Sequence, residues 1–265
     1  MPVIICLLAI LALILFLIFP SILRHPDEKH LKGLYIAHRG LHDMKNGIPE
    51  NSLPAFKAAV DKGFAIENDI HLTKDGIVVV FHDDTATRMC GTNKKICDMT
   101  LSEIKELKLL DTSFQIPTLK ECLQVIDGKV PLLIEFKYDG NAKALCKAAK
   151  DILKDYKGKY FVQSFYPQNL YFIRKYFKNI CRGQLSCGFK GEALHKKAAS
   201  MLLYNFISRP HFISYEHTDR KNLFFRLVVR LGATPVGWTF KSKTDLLKDS
   251  KAFDAFIFEN FIPEK

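Results

Sequence analysis

Short apolar runs that end in polar residues recur along this chain, and helical stretches separate most of them. The runs are LYIAHRG (Leu34–Gly40), FAIENDI (Phe64–Ile70), VPLLIEFK (Val130–Lys137), KYFVQSF (Lys159–Phe165), RGQLS (Arg182–Ser186), HFISYEH (His211–His217), TPVGWTF (Thr234–Phe240) and DAFIFEN (Asp254–Asn260). Stretches such as AKALCKAAKDILKDY and PQNLYFIRKYFKN lie between them. Strand–helix alternation of this kind produces a mainly parallel sheet. Eight such strands in roughly 235 residues fit a (β/α)8 barrel, which usually has about 250. The expected fold class is therefore α/β, a TIM barrel.

One further run breaks the alternation. IVVVFHD (Ile77–Asp83) follows the second strand after only Thr73-Lys74-Asp75-Gly76. A parallel crossover needs about a dozen residues or more, so the Asp-Gly turn predicts a hairpin. Its return arm carries His82 back toward Glu67 and Asp69. Residues 84–117 then form a small insertion, with capping boxes at Thr100…Glu103 and Thr118…Glu121.

The N-terminus is of another kind. No charged residue precedes Arg24, and Val3 to Phe19 is an unbroken apolar run that Ile22 and Leu23 extend. About 20 apolar residues in a helix span the ~30 Å hydrocarbon core of a bilayer. Met1-Pro2 offers no basic leader and Ser21-Ile22-Leu23 is a poor cleavage site, which favours a retained anchor over a signal peptide. Residues 1–23 thus read as one transmembrane helix, 24–33 as a juxtamembrane linker and 34–265 as the barrel domain. Arg24, Lys29 and Lys32 follow the run, which predicts a single-pass protein of the cell membrane with a cytoplasmic barrel.

Lys and Arg number 39 against 28 Asp and Glu, a formal net charge of +11. Such a balance favours an anionic partner: membrane lipid, a phosphate-bearing substrate or nucleic acid. The lysines spread along the helices as solvated faces do, and nothing resembles a nucleic-acid module, so no nucleic acid is expected. Seven cysteines without paired spacing and without C-x-x-C argue against a disulfide framework, a zinc ribbon or a thioredoxin-type site.

Polar residues crowd the C-terminal ends of the predicted strands, where barrel active sites lie. Glu67 and Asp69 are two apart and share one face of a strand. Carboxylates ~4 Å apart repel by about 4 kcal/mol at an effective dielectric of 20. Glu135 adds a third. A divalent cation would relieve this, as would protonation or pairing to Arg39 and Lys137. All-oxygen ligands favour Mg²⁺ or Ca²⁺. His38 and His82 titrate near neutrality and can accept and donate protons. Arg39 and Lys137 can hold phosphate oxygens. This set suits phosphodiester cleavage better than acyl transfer, and the absence of a G-x-S-x-G elbow and of a P-loop argues against a serine hydrolase or an NTPase.

The string IAHRGLHDMKNGIPENSLPAFKAAVDKGFAIENDIHLTKDGIVVVFHDD resembles the N-terminal signature of the glycerophosphodiester phosphodiesterase family, in a membrane-anchored bacterial form. The likeness continues through TLSEI (Thr100–Ile104), IPTLKE (Ile116–Glu121), LIEFK (Leu133–Lys137), QSF (Gln163–Phe165) and Trp238-Thr239. It implies a TIM-barrel enzyme, with an insertion after the His-Asp motif, that hydrolyses glycerophosphodiesters to glycerol phosphate and an alcohol in phospholipid and glycerol metabolism. His38 and His82 match the family's acid/base pair. Glu67, Asp69 and Glu135 match its ligands for one divalent cation, Mg²⁺ or Ca²⁺. Arg39 matches the phosphate-binding arginine, and Lys137 the lysine beside the metal. Gln163, Phe165 and Trp238 match pocket positions.

Two positions depart from the family pattern. Asn68 stands where an apolar residue is common. The last strand ends in Phe258-Glu259 rather than Thr-Asp, which leaves the role of Glu259 open. A lysophospholipase D or related phospholipase on the same barrel is the nearest alternative, with membrane lipid as partner through the N-terminal helix. A catalytically inactive anchored binding domain is another, but the intact histidines and acids speak against it. His195–Arg209 reads as an outer barrel helix, or alternatively as an interfacial helix that touches lipid.

Overall fold

The computed structural model describes residues 2–189 and 193–264. Its strands are β1 Tyr35–Ala37, β2 Ala65–Leu72, β3 Val78–Val80, β4 Leu132–Phe136, β5 Tyr160–Ser164, β6 Arg182–Ser186, β7 Phe212–Glu216, β8 Thr234–Phe240 and β9 Ala255–Phe258. The helices are α1 Pro2–Ile18, α2 Leu53–Asp61, α3 Thr87–Cys90, α4 Leu101–Lys105, α5 Leu119–Ile126, α6 Ala142–Leu153, α7 Pro167–Tyr176, α8 Leu194–Ser200, α9 Asn205–Ser208, α10 Leu223–Arg230 and α11 Lys243–Asp249. Among the described residues, β1, β2 and β4–β9 run parallel, and β1 pairs with both β2 and β9, closing an eight-stranded barrel. The expected TIM-like architecture is the one observed. β3 returns antiparallel on β2, as the Asp-Gly turn requires.

The period of two along each strand divides the barrel into layers. Ala65, Leu133 and Phe161 join Ile36, Phe212 and Val236 in an apolar cluster. Two and four residues further along, the same faces of β2, β4 and β5 carry Glu67, Asp69, Glu135 and Gln163. Register sets Asp69 beside Glu135, and Glu135 beside Gln163. The alternate residues, such as Ile66, Ile134, Phe136 and Val162, belong to the larger core that includes the helices. An apolar lower layer thus supports a charged upper one.

The insertion carries its own small core. Met89, Ile96, Met99, Ile104, Leu109 and Ile116 pack with Val79 and Phe81 of the hairpin arm. Both capping boxes form, Thr100 with Glu103 and Thr118 with Glu121.

The N-terminus differs from expectation. α1 has 17 residues, about 26 Å at 1.5 Å per residue, short of the ~30 Å hydrocarbon core. Among the described residues no helix is long and apolar enough to cross a membrane, so the transmembrane helix expected over 1–23 is not present at that length. The physical reason is tertiary. Arg209 Nη1 donates to the carbonyls of Phe16 and Phe19 at 2.9 Å, and Asn205 Nδ2 to that of Ile18 at 2.8 Å. These side chains satisfy carbonyls that a longer helix would have used. The Ser21 amide then donates to Pro210, turning the chain onto the barrel.

The polar stretch 24–33 is not free either. Asp27 pairs with Lys159 at 2.6 Å, the Glu28 carboxylate accepts from Thr234, and Leu31 is fully buried in the lower barrel layer. His195–Arg209 falls on two short helices, α8 and α9, with Leu202 buried and Phe206 outside.

Candidate active site

Chain reversals at the C-terminal ends of the strands set the site. After β1 the backbone turns at once: Arg39 is left-handed (φ 56°) and Gly40 follows at φ 80°. A Cβ on Gly40 would lie 2.9 Å from both the Ala55 backbone and the Phe56 ring, so only glycine lets the turn sit against α2. This tight reversal points the Arg39 amide at Glu67 Oε2, 3.0 Å away. Arg39 Nη1 meets Glu50 at 2.8 Å, and its Nε lies 3.7 Å from Asp69. Burial opposes the guanidinium charge, but Asp69, Glu50 and Glu67 raise its pKa above the ordinary value.

Glu67, Asp69 and Glu135 are buried, and each offers an oxygen within 4.8 Å of the others. Lys137 bridges two of them, 2.8 Å from Asp69 and 2.6 Å from Glu135. Burial would raise Asp69, but Lys137, His82 and Arg39 pull its pKa far down. Glu67 is left with the least compensation. Burial, Asp69 and Glu135 together push its pKa well above the carboxylate range. A hard divalent cation fits this donor set: three convergent oxygens, one of them held in an environment that disfavours its charge.

The two histidines are prepared alike. His38 Nδ1 lies 2.5 Å from Glu259 Oε2, and His82 Nδ1 lies 2.6 Å from Asp83 Oδ1. Each carboxylate fixes the ring and leaves Nε2 without a protein hydrogen bond among the described residues. Glu259 also meets Lys241 at 3.1 Å. Burial works against the Glu259 charge, but His38 and Lys241 overcome it and lower its pKa to about 2. Burial lowers the pKa of His82, against the pull of Asp69. Arg88 ties Asp83 to Glu50.

His38, Arg39, Glu67, His82, Glu135, Lys137, Gln163, Phe165 and Trp238 all line one cleft of about 420 Å³. Asp69 lies beneath, bonded to Lys137 and to Asn51 Nδ2 at 2.8 Å. Gln163 Oε1 accepts from Ser214 at 2.6 Å, and Phe165 meets Trp238 edge-on at 5.6 Å. All ten residues singled out from the sequence therefore converge. Sequence reasoning missed Glu50, Asn51 and Asp83 as supports, and left Glu259 unassigned. It also missed His71, which is fully buried, pairs with Asp139 at 2.7 Å and reaches the His82 carbonyl at 3.3 Å. The signal for Glu50 and Asn51 was present in the Pro-Glu-Asn-Ser string.

Comparison with known proteins agrees with this geometry. Residues 38–256 match the model of the Glycerophosphoryl diester phosphodiesterase family. The chain is 33% identical over 239 residues to a glycerophosphodiester phosphodiesterase of Caldanaerobacter subterraneus subsp. tengcongensis, covering 84% of this chain and 91% of that protein. It is 33% identical over 155 residues to human lysophospholipase D, covering 54% of this chain but 48% of that protein. Among solved structures, an Oleispira antarctica phosphodiesterase in complex with sn-glycerol-3-phosphate aligns with a TM-score of 0.72 at 22% identity, over 87% of this chain and 94% of that one. The Thermotoga maritima glycerophosphodiester phosphodiesterase aligns at 0.67 and 27% identity, over 85% and 94%.

Proposed function

Since this chain belongs to the glycerophosphodiester phosphodiesterase family, we propose that its cleft hydrolyses glycerophosphodiesters to glycerol phosphate and an alcohol by two-histidine acid/base catalysis. The observation that carries this reading is the convergence, in and directly beneath one cleft, of two carboxylate-held imidazoles, three buried acids and two cations. Arg39 and Lys137 bind and orient the phosphate oxygens. Gln163, Phe165 and Trp238 line the remainder of the substrate pocket. One imidazole takes the proton of the attacking hydroxyl, and the other donates a proton to the departing alkoxide. Glu259 and Asp83 keep both Nε2 atoms toward the cleft.

Glu67, Asp69 and Glu135 would hold one divalent cation, Mg²⁺ or Ca²⁺. Such an ion, when bound, stabilises charge on phosphoryl oxygens and favours deprotonation of a bound hydroxyl. The test is turnover of a phosphodiester panel led by glycerophosphocholine, with and without chelator. No turnover of any diester by metal-replete protein would overturn the reading.

The location of the enzyme belongs to the same proposal. Val3, Leu7, Leu11 and Phe16 of α1 are each more than half exposed, an apolar surface that suits lipid rather than water. We place α1 in the cell membrane and, from Arg24, Lys29 and Lys32, the barrel on its cytoplasmic side. Carbonate-resistant recovery in the membrane fraction, with the barrel open to protease only after the cell membrane is breached, would support this. A secreted, shortened product would refute it.

A further inference from the structure

Beyond Glu67, Asp69 and Glu135, the same two strands bring a second set of donors together. His71 continues the face of β2 that carries Glu67 and Asp69, and Asp139 follows β4 two residues past Lys137. Asp84 arrives from the hairpin arm, just after His82 and Asp83. One ring nitrogen of His71 and one oxygen from each of Asp84 and Asp139 all lie within 4.8 Å of one another. Donors around a single ion, with bonds of about 2.0–2.2 Å, span little less.

The imidazole is oriented as a ligand would be. His71 Nε2 lies 3.3 Å from the carbonyl oxygen of His82, which can only accept, so Nε2 carries a hydrogen and donates it. In the neutral ring the lone pair is then on Nδ1, and Nδ1 faces Asp139 Oδ2 at 2.7 Å. Two electron pairs at that distance need a cation between them, a proton or a metal ion. Metal-binding histidines commonly have their other N–H held by a backbone carbonyl in this way.

The charge balance separates the two cations. A proton would serve His71 and Asp139 and leave Asp84 unused. Among the described residues, the Asp84 side chain has no hydrogen bond or ion pair, and Asp139 pairs with His71 but with no lysine or arginine. In the first cluster, by contrast, Arg39 and Lys137 offset the carboxylates. The excess charge reaches Tyr166, where burial first and Asp84 second raise the pKa of the phenol against the pull of Lys137.

We propose that His71, Asp84 and Asp139 form a second metal site, separate from the acid cluster, and that it takes Zn²⁺. One imidazole with two carboxylates is a borderline donor set, better suited to zinc than three carboxylates are. Three protein ligands leave a fourth position. Asp84 borders a hollow of about 1430 Å³ beside the cleft, walled also by Tyr171 and Phe172 of α7 and Phe206 of α9, and water there completes the shell. The ion replaces the proton between His71 and Asp139, which leaves to solvent. It acts as a staple: it ties the start of the insertion to β2 and to the loop after β4, and through His71 Nε2 it holds the His82 backbone. The site does not depend on which diester the cleft cleaves.

Tag-free full-length protein in detergent, stripped of metal and titrated with Zn²⁺ alone, provides the test. Wild type should bind two equivalents and Glu67→Gln one tight equivalent, with Glu135→Gln in its place if that variant does not fold. X-ray absorption at the zinc edge of the singly loaded variant should show one imidazole among oxygen ligands. Adding Asp84→Asn or Asp139→Asn should weaken this equivalent by at least roughly 10–100-fold, the loss that even an outer partner of a metal ligand causes. Asp84 is exposed and makes no side-chain bond, so its variant keeps the fold and decides the matter if Asp139→Asn does not. Amide exchange over residues 82–98 should slow with Zn²⁺, and unchanged exchange in loaded protein would overturn the staple. A single equivalent in wild type that Glu67→Gln abolishes would overturn the site. So would a zinc shell without imidazole, or an affinity that Asp84→Asn leaves unchanged.

Discussion

Single side chains set the chemistry of the cleft, and their electrostatics make it testable. Glu67→Gln, Asp69→Asn and Glu135→Gln should each weaken binding of Mg²⁺ or Ca²⁺ and reduce turnover, as followed by calorimetry and activity. Glu67 is held neutral more readily than an ordinary glutamate, so metal uptake should release protons and weaken as pH falls. Full activity in exhaustively chelated protein would contradict this assignment. Loss of either His38 or His82 to Ala should cost roughly 10²–10⁴-fold in kcat. A p-nitrophenyl diester, which needs little leaving-group protonation, should rescue only the variant lacking the acid. Glu259 makes a separate prediction. Its folded pKa of about 2 lies below the ~4.3 of an unfolded glutamate. Its charge therefore stabilises the fold above pH ~4.3, and that contribution is lost as pH drops toward 2. Wild-type stability in urea should fall more steeply over that window than that of Glu259→Gln, and equal slopes would remove the ion pair from the account.

At the scale of elements, the turn after β1 does the positioning. Gly40→Ala would combine a positive φ with a 2.9 Å clash against α2, costing about 1–3 kcal/mol. Because the same turn aims the Arg39 amide at Glu67, activity should fall more than stability, which a melting curve and an assay on one preparation would separate. Much of this level was legible beforehand. The period of two put Glu67 and Asp69 on one face of their strand, and a four-residue gap forced the β2–β3 hairpin. Other features were not, because they depend on distant contacts. The His38–Glu259 pair joins residues 221 apart in sequence, and nothing local to Phe258-Glu259 shows it. Tyr171 and Phe172 look like the ordinary face of an amphipathic helix until α9 is seen opposite. Hydropathy ran the first helix on to Leu23, whereas Arg209 and Asn205 end it at Ile18.

For the whole molecule, the division between apolar N-terminus and barrel predicts what truncation does. A chain starting at Arg24 should stay in solution without detergent and keep its turnover of glycerophosphocholine. Starting at Lys29 removes the Asp27–Lys159 and Glu28–Thr234 contacts as well. Each kcal/mol lost should lower Tm by about 2–4 °C at this size, so the shorter chain should melt measurably below the longer one. Sedimentation and calorimetry decide both points. The way α1 is fastened has a mechanical consequence. Its final carbonyls are clasped by α9, the next amide is bonded to Pro210, and Leu31 is already inside the barrel. No slack remains between the greasy rod and the enzyme. On the proposed placement of α1 in the membrane, the barrel would glide and spin rather than swing, and the cleft would keep one height and one tilt above the lipid plane. Encounter then becomes a two-dimensional search, in which surface density rather than bulk concentration sets the rate.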